Sequence, residues 1–174
     1  MIETARLTLR RPLPRDWEAF RDFMLSDRAT MFGSHGHLGR AFRAFAGELG
    51  HWEIRGYGLF AVTRRGESPE QDRALALVGP WNPPDWPETE VGWMVLDRAV
   101  EGTGIAREAA EAALGYAWGT LGWPTVVSYI LEGNDRSVRL AERLGARLDP
   151  DAPRPEAPGK TVLVYRHPRP EGVR

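Results

Sequence analysis

Cysteine is absent from this chain of 174 residues. That absence removes disulfide frameworks, thiolate metal sites and cysteine nucleophiles together. Lysine is nearly absent as well. Lys160 stands alone, and the remaining positive charge is arginine, scattered over every segment. No apolar run approaches the ~18 residues that a membrane helix requires. Excess charge of either sign is also missing. With 23 basic against 24 acidic residues, the formal net charge is −1. That argues against nucleic acid or a membrane surface as partner. Met1 to Thr4 form neither a basic nor an apolar leader, so a cytoplasmic protein is expected.

What is present fits an ordinary globular domain: 42% apolar and 27% charged residues. No repeat and no linker divides the chain, so a single domain over 1–174 is expected. Alternation over 5–10 predicts a first strand. Helices follow over about 15–26 and 40–55, the second with an apolar stripe of Phe42, Phe45, Leu49 and Trp52. Strands at 58–64 and 74–78 read as a hairpin. The stretch Trp81 to Pro87 reads as irregular because of its prolines. A strand at 90–96 leads into a long helix, 104–121, with small residues on one face. Then come a buried strand at 125–130, a short helix at 137–144, a proline-rich acidic loop at 149–159 expected on the surface, and a strand at 161–165. This mixed order predicts an α+β, or mixed α/β, sheet with helices on both faces.

The stretch Glu101-Gly102-Thr103-Gly104-Ile105-Ala106 carries the most chemistry. Two glycines one residue apart at a helix start leave backbone N–H groups bare and remove the Cβ atoms that hold a ligand away. With the helix dipole added, Gly102 to Ala106 make a seat for a diphosphate. A nucleotide P-loop is excluded, because Ile105-Ala106 stand where it needs Lys-Ser/Thr. A dinucleotide-binding oxidoreductase is a remote rival. Its third small position falls on Arg107, and the turn from Leu96 to Gly102 is too long.

The remaining pattern resembles the GNAT N-acetyltransferases, and within them the branch that acetylates protein N-termini, including those of ribosomal proteins. Thr4 to Arg10 is similar to that branch's opening strand, and Glu90-Val91-Gly92-Trp93 to its central strand. Asn134-Asp135-Arg136-Ser137, followed by Ala141 to Ala146, resembles its closing motif. The resemblance implies a mostly antiparallel twisted sheet of about six to seven strands. It also implies direct acetyl transfer from acetyl-CoA, without a metal, to an amine-bearing acceptor, either a peptide N-terminus or a small molecule. Two positions depart from the pattern. Glu101 stands where the family commonly has glutamine or arginine, an unfavourable charge beside a diphosphate by roughly 1 kcal/mol or less. Ala141 stands where many relatives place a tyrosine acid. These departures keep open a non-catalytic acyl-CoA-binding module of the same fold.

Acetyl transfer to an amine needs a base, an oxyanion donor and help for the leaving thiolate. The resemblance assigns the oxyanion donor to backbone N–H groups of the central strand near Val95, a kind of donor worth roughly 2.7–4 kcal/mol, and counts Val95 and Leu96 among the coenzyme-binding residues. It assigns the thiolate to Ser137. Asn134 can bond pantetheine amides through both ends of its side chain, and it equally suits an N-cap. For the base, Glu90 and Glu88 share a facing by period two. Glu90 is preferred because its position resembles an acidic family position. His35 and His37, between the first two helices, read as a plain loop or as acceptor contacts. Trp81 reads as packing or as a wall for the acceptor. Neither oligomeric state nor acceptor identity is legible.

Overall fold

The computed structural model describes residues 1–32, 36–68, 72–170 and 172. In chain order the elements are β1 (Ile2–Glu3), β2 (Leu7–Arg10), α1 (Trp17–Leu25), α2 (Leu38–Arg55), β3 (Phe60–Arg64), β4 (Ala76–Trp81) and β5 (Glu90–Val95). They continue with α3 (Ile105–Gly119), β6 (Val127–Leu131), α4 (Asp135–Arg143), β7 (Arg147–Leu148) and β8 (Val162–Arg166). All strands join one eight-stranded sheet in the order β1-β2-β3-β4-β5-β6-β8-β7. Every neighbouring pair is antiparallel except β5 and β6. The architecture is the expected α+β one. The strands beyond the six read from sequence, β1 and β7, are two-residue edges, too short for alternation to register.

Period-two alternation gives the sheet two apolar faces. Leu7, Leu9, Phe60, Val62, Val78 and Val91 meet α3 through Ala109, Ala110, Ala113 and Ala117. The alanines let the helix axis approach closely, as their spacing predicts. The opposite face places Ala61, Leu77 and Met94 against Phe20, Phe23 and Phe45 of α1 and α2. Burying each large side chain in these layers contributes about 1.5–3 kcal/mol.

Three readings are corrected here. Phe42 is not core: it is 60% exposed, with its ring edge on Trp17. The buried face of α2 carries Ala41, Phe45, Glu48 and His51, one residue round from the expected stripe. Trp81 is the last residue of β4 rather than part of an irregular loop, because Pro80 needs no amide partner where it faces Val91. The acidic segment after β7 is not merely a surface loop. Ala152 and Pro155 are buried, and residues 155–158 line the main cleft.

The feature that positions the site is the junction of β5 and β6. Their parallel ladder consists of a single pair, Glu90 with Val127. Beyond it the strands diverge. Side chains satisfy the backbone groups stranded at the fork. Ser128 Oγ donates to Val91 O at 2.6 Å, and Tyr129 N–H donates to Glu90 Oε1 at 3.3 Å. Both serve polar groups that would otherwise be buried without partners.

Candidate active site

The fork opens into a cleft of about 610 Å³. Its sheet wall is Glu90 to Met94 and Ser128 to Leu131, with Asn134 and Ser137 of α4's start at one end and Glu48, Trp81 and Trp86 at the other. Amides of β5 point into it. Leu96 N–H crosses to Leu75 O on the β4 side at 2.9 Å. By alternation, the amides of Trp93 and Val95 face the gap left by β6. Leu96 offers no such amide, and its carbonyl already accepts from Arg28.

Glu90 sits at the vertex, 8% exposed. Its Oε2 accepts from Trp86 Nε1–H at 2.5 Å. Burial pushes its pKa up to about 7, against the lowering effect of the bonds from Trp86 and the Tyr129 amide. Gly92 adjoins it: a Cβ there would meet Glu90 Oε1 at 3.4 Å, an ordinary van der Waals contact. Glu88, the other carboxylate considered from sequence, is held bidentately by Arg166, with both bonds at 2.9 Å. It does not line the cleft.

Ser137 Oγ accepts from Trp93 Nε1–H at 3.1 Å, which leaves its own O–H to donate. Asn134 is the N-cap of α4: its Oδ1 accepts from Ser137 N–H at 3.3 Å, while the amide end of the side chain is spared by that bond. Ala141 is fully buried on the inner face of α4. Trp81 stacks on His51 with 4.3 Å between centroids. His51 Nδ1–H donates to Tyr57 O at 2.7 Å and Nε2 accepts from Asn82 N–H at 3.3 Å, so the ring is neutral and fixes Trp81. His37 is an exposed residue before α2, away from the cleft, and His35 lies outside the described residues.

At the glycine turn, Gly102 and Gly104 adopt φ of 74° and 85°. This left-handed region suits glycine. Gly104 is the N-cap of α3 and supplies no side-chain cap, so the amides at Ile105 and Ala106 head the helix open. Thr103 differs: its N–H and Oγ1–H both bond Val100 O, at 3.3 and 2.7 Å. Glu101 does not face solvent as a bare charge. Arg28 Nε donates to its Oε1 at 2.8 Å and Arg136 to its Oε2 at 2.7 Å. Arg28 also reaches Val95 O and Leu96 O, at 2.6 and 2.9 Å. Arg6 donates to Thr103 O at 3.2 Å. Arg6 is itself paired with Glu108 of α3's first turn at 2.6 Å, so two carboxylates, Glu101 and Glu108, stand with three arginines around the turn.

The fold also brings together groups that sequence reasoning missed. Glu48 of α2 is buried in the cleft wall, and its Oε2 has no hydrogen-bond partner among the described residues. Burial first, and the charge of Glu90 second, push its pKa up to about 8. Its sequence signal was a carboxylate three residues after Phe45, on the face that α2 buries. His167 Nε2 lies 2.9 Å from Ser128 Oγ. Because that hydroxyl donates to Val91, the imidazole must donate to it. His167 is held neutral, its pKa lowered to about 4 by burial. This pair supports the fork rather than forming a nucleophile and its base.

The sequence matches the family model "Acetyltransferase (GNAT) domain" over residues 6–147. An acetyltransferase structure from Agrobacterium tumefaciens is 38% identical, with a TM-score of 0.84, covering 97% of this chain and 94% of that one. Two more distant structures share the fold. The ribosomal-protein alpha-N-acetyltransferase RimL, solved with coenzyme A, is 15% identical with a TM-score of 0.69, covering 94% of each chain. A chimera of spermidine N-acetyltransferase SpeG from Vibrio cholerae and hSSAT is 18% identical with a TM-score of 0.67, covering 93% of each.

Proposed function

The chain belongs to the GNAT acetyltransferase family, and on that premise we propose that it moves an acetyl group from acetyl-CoA directly to a primary amine. The observation that carries this reading is the fork of β5 and β6, with a buried carboxyl at its vertex and an open helix start beside it. The residues present suit the carrier. Gly102, Gly104, Ile105 and Ala106 seat its diphosphate, and the amides of β5 facing the gap, with Asn134, receive its pantetheine arm. Bound there, acetyl-CoA supplies an activated acyl group as a thioester.

Glu90 takes one proton from the acceptor's ammonium, directly or through a water. Its pKa near 7 matches that task at neutral pH. The neutral nitrogen attacks the thioester carbon. As the C–N bond forms, the carbonyl oxygen gains charge and meets the Val95 amide. The C–S bond then breaks, and Ser137 O–H donates to the departing sulfur. The second amine proton ends on the thiol, so the products are an amide, free coenzyme A and one proton held by Glu90. Trp81 is the proposed acceptor-side contact in the cleft; His37, which does not line it, and His35 are proposed as outer acceptor contacts. The ion pairs of Glu101 with Arg28 and Arg136 support a coenzyme seat at the turn, and a non-catalytic acyl-CoA-binding module of the same fold is the second reading, which turnover separates from the first.

Two measurements test this. Acetyl-CoA at ~100 times its dissociation constant should add ~2.7 kcal/mol of stability, about 5–11 °C for a chain of this size. Incubation with an amine panel should give products heavier by one acetyl group. Glu90→Gln and Ser137→Ala should lower turnover with coenzyme affinity unchanged. Full rate in both variants would refute the assigned roles.

A further inference from the structure

The transfer chemistry leaves one buried carboxyl of the cleft unused. Glu48 is 8% exposed, lines the cleft and directs an unpartnered Oε2 into its wall. A buried carboxyl in that condition calls for a reason. It shares the sheet face of Glu90, whose charge it feels. Around the pair the wall is apolar: Phe20, Met24, Leu59, Trp81, Trp86 and Met94. Among the described residues, the basic side chain lining the cleft is Lys160, whose Nζ donates to Met31 O at 3.2 Å.

This chemistry sorts acceptors. A carboxylate-bearing amine would set a further acid group against the buried carboxyls of Glu48 and Glu90. A polyamine would have to strip water from several ammonium groups to lie along Met24, Leu59 and Met94, where desolvation is costly. An extended peptide would set its amides against the same wall. A small amine with one charge and an apolar body meets a counter-ion and a matching surface. We propose that Glu48 is the counter-ion of the acceptor, and that the cleft takes a primary ammonium on a compact apolar body, from which Glu90 removes the proton. This rests on the acetyl-transfer reading and names its substrate class.

The groups facing Glu48 are few. Glu90 reaches it from β5. His51, one turn on along α2, is neutral, with both nitrogens bonded. Glu156 and Lys160 stand in the segment before β8. With the cleft empty, Glu48 holds its proton at neutral pH, because burial has raised its pKa to about 8. An ammonium arriving beside it favours the carboxylate, so binding expels that proton.

The probe is 2-phenylethylamine, set against spermidine, phenylalanine and an alanyl tripeptide amide. Titration calorimetry with free coenzyme A present, at pH 7 in buffers of different ionisation enthalpy, reads affinity and proton release together. Expected for the native chain are preferential binding of 2-phenylethylamine and release of close to one proton. Glu48→Gln and Glu48→Ala should each weaken that binding about ten-fold or more and abolish the release, with coenzyme affinity unchanged. In turnover, Glu48→Gln should raise KM for the amine far more than it changes kcat. Preference for spermidine, phenylalanine or the peptide would overturn the inference while leaving acetyl transfer intact, as would unchanged amine affinity in both variants. Amine binding with proton release but no acetylated product would instead sustain Glu48's role and sink the transferase reading.

Discussion

Replacing Glu48 by glutamine keeps the shape of the side chain and removes its ability to ionise. In the unfolded chain this carboxyl titrates near ~4.5; in the folded, empty cleft it titrates at about 8. Its folded pKa is raised, so the folded state binds more protons than the unfolded one between those values. Stability is therefore greatest below the unfolded pKa and is lost as pH rises towards 8. Converted at 1.36 kcal/mol per pH unit, the loss from Glu48 between pH 5 and pH 8 is about 3 kcal/mol. Glutamine has no such dependence. Thermal melts of native and Glu48→Gln protein at pH 5 and pH 8, without ligand, should thus diverge. The variant should gain on the native protein by roughly 6–12 °C over that interval, at 2–4 °C per kcal/mol. Parallel pH profiles would refute the reasoning, because they would mean that Glu48 reaches solvent in the folded state. Glu90 adds a slope of the same sign in both proteins, so the difference between them reads Glu48 together with its coupling to Glu90.

The base assignment predicts that kcat/KM falls on the acid side of about pH 7, where Glu90 takes up a proton, and that Glu90→Gln loses this limb; an initial-rate pH series reads it. Gly104→Ala forces a side chain onto a φ of 85°, which should cost roughly 1–2 kcal/mol of stability and weaken coenzyme binding measured by calorimetry. Glu101→Gln removes the anion that Arg28 and Arg136 share. Coenzyme affinity should rise a few-fold at low salt and converge with the native value at high salt.

Local signals carried a large part of the fold. The alanine face of α3, the alternation of β2 and the glycines before α3 each state a backbone or packing requirement within a short window. Two-residue edges such as β1 lie below the length at which alternation can be read. Phe42 misled because a helix face is fixed by its partner: α2 meets the sheet through Ala41, Phe45 and Glu48. In the cleft, Glu90, Asn134, Ser137 and Trp81 were legible by type and position. Glu48 was not, since an acidic residue on an amphipathic helix ordinarily faces water. Its role depends on a strand some forty residues later in the chain.

By itself, then, the sequence determined what each short segment requires: periodicity for helix and strand, glycine where φ is positive, and bare amides ahead of α3. Tertiary structure alone decided which groups meet. It parted β5 from β6 after a single pair, brought Arg28 and Arg136 to Glu101, and set Glu48 beside Glu90 in an apolar wall. The physical reason is range. Backbone geometry is settled among near neighbours, whereas a carboxyl's charge and proton affinity depend on whatever the folded chain packs around it.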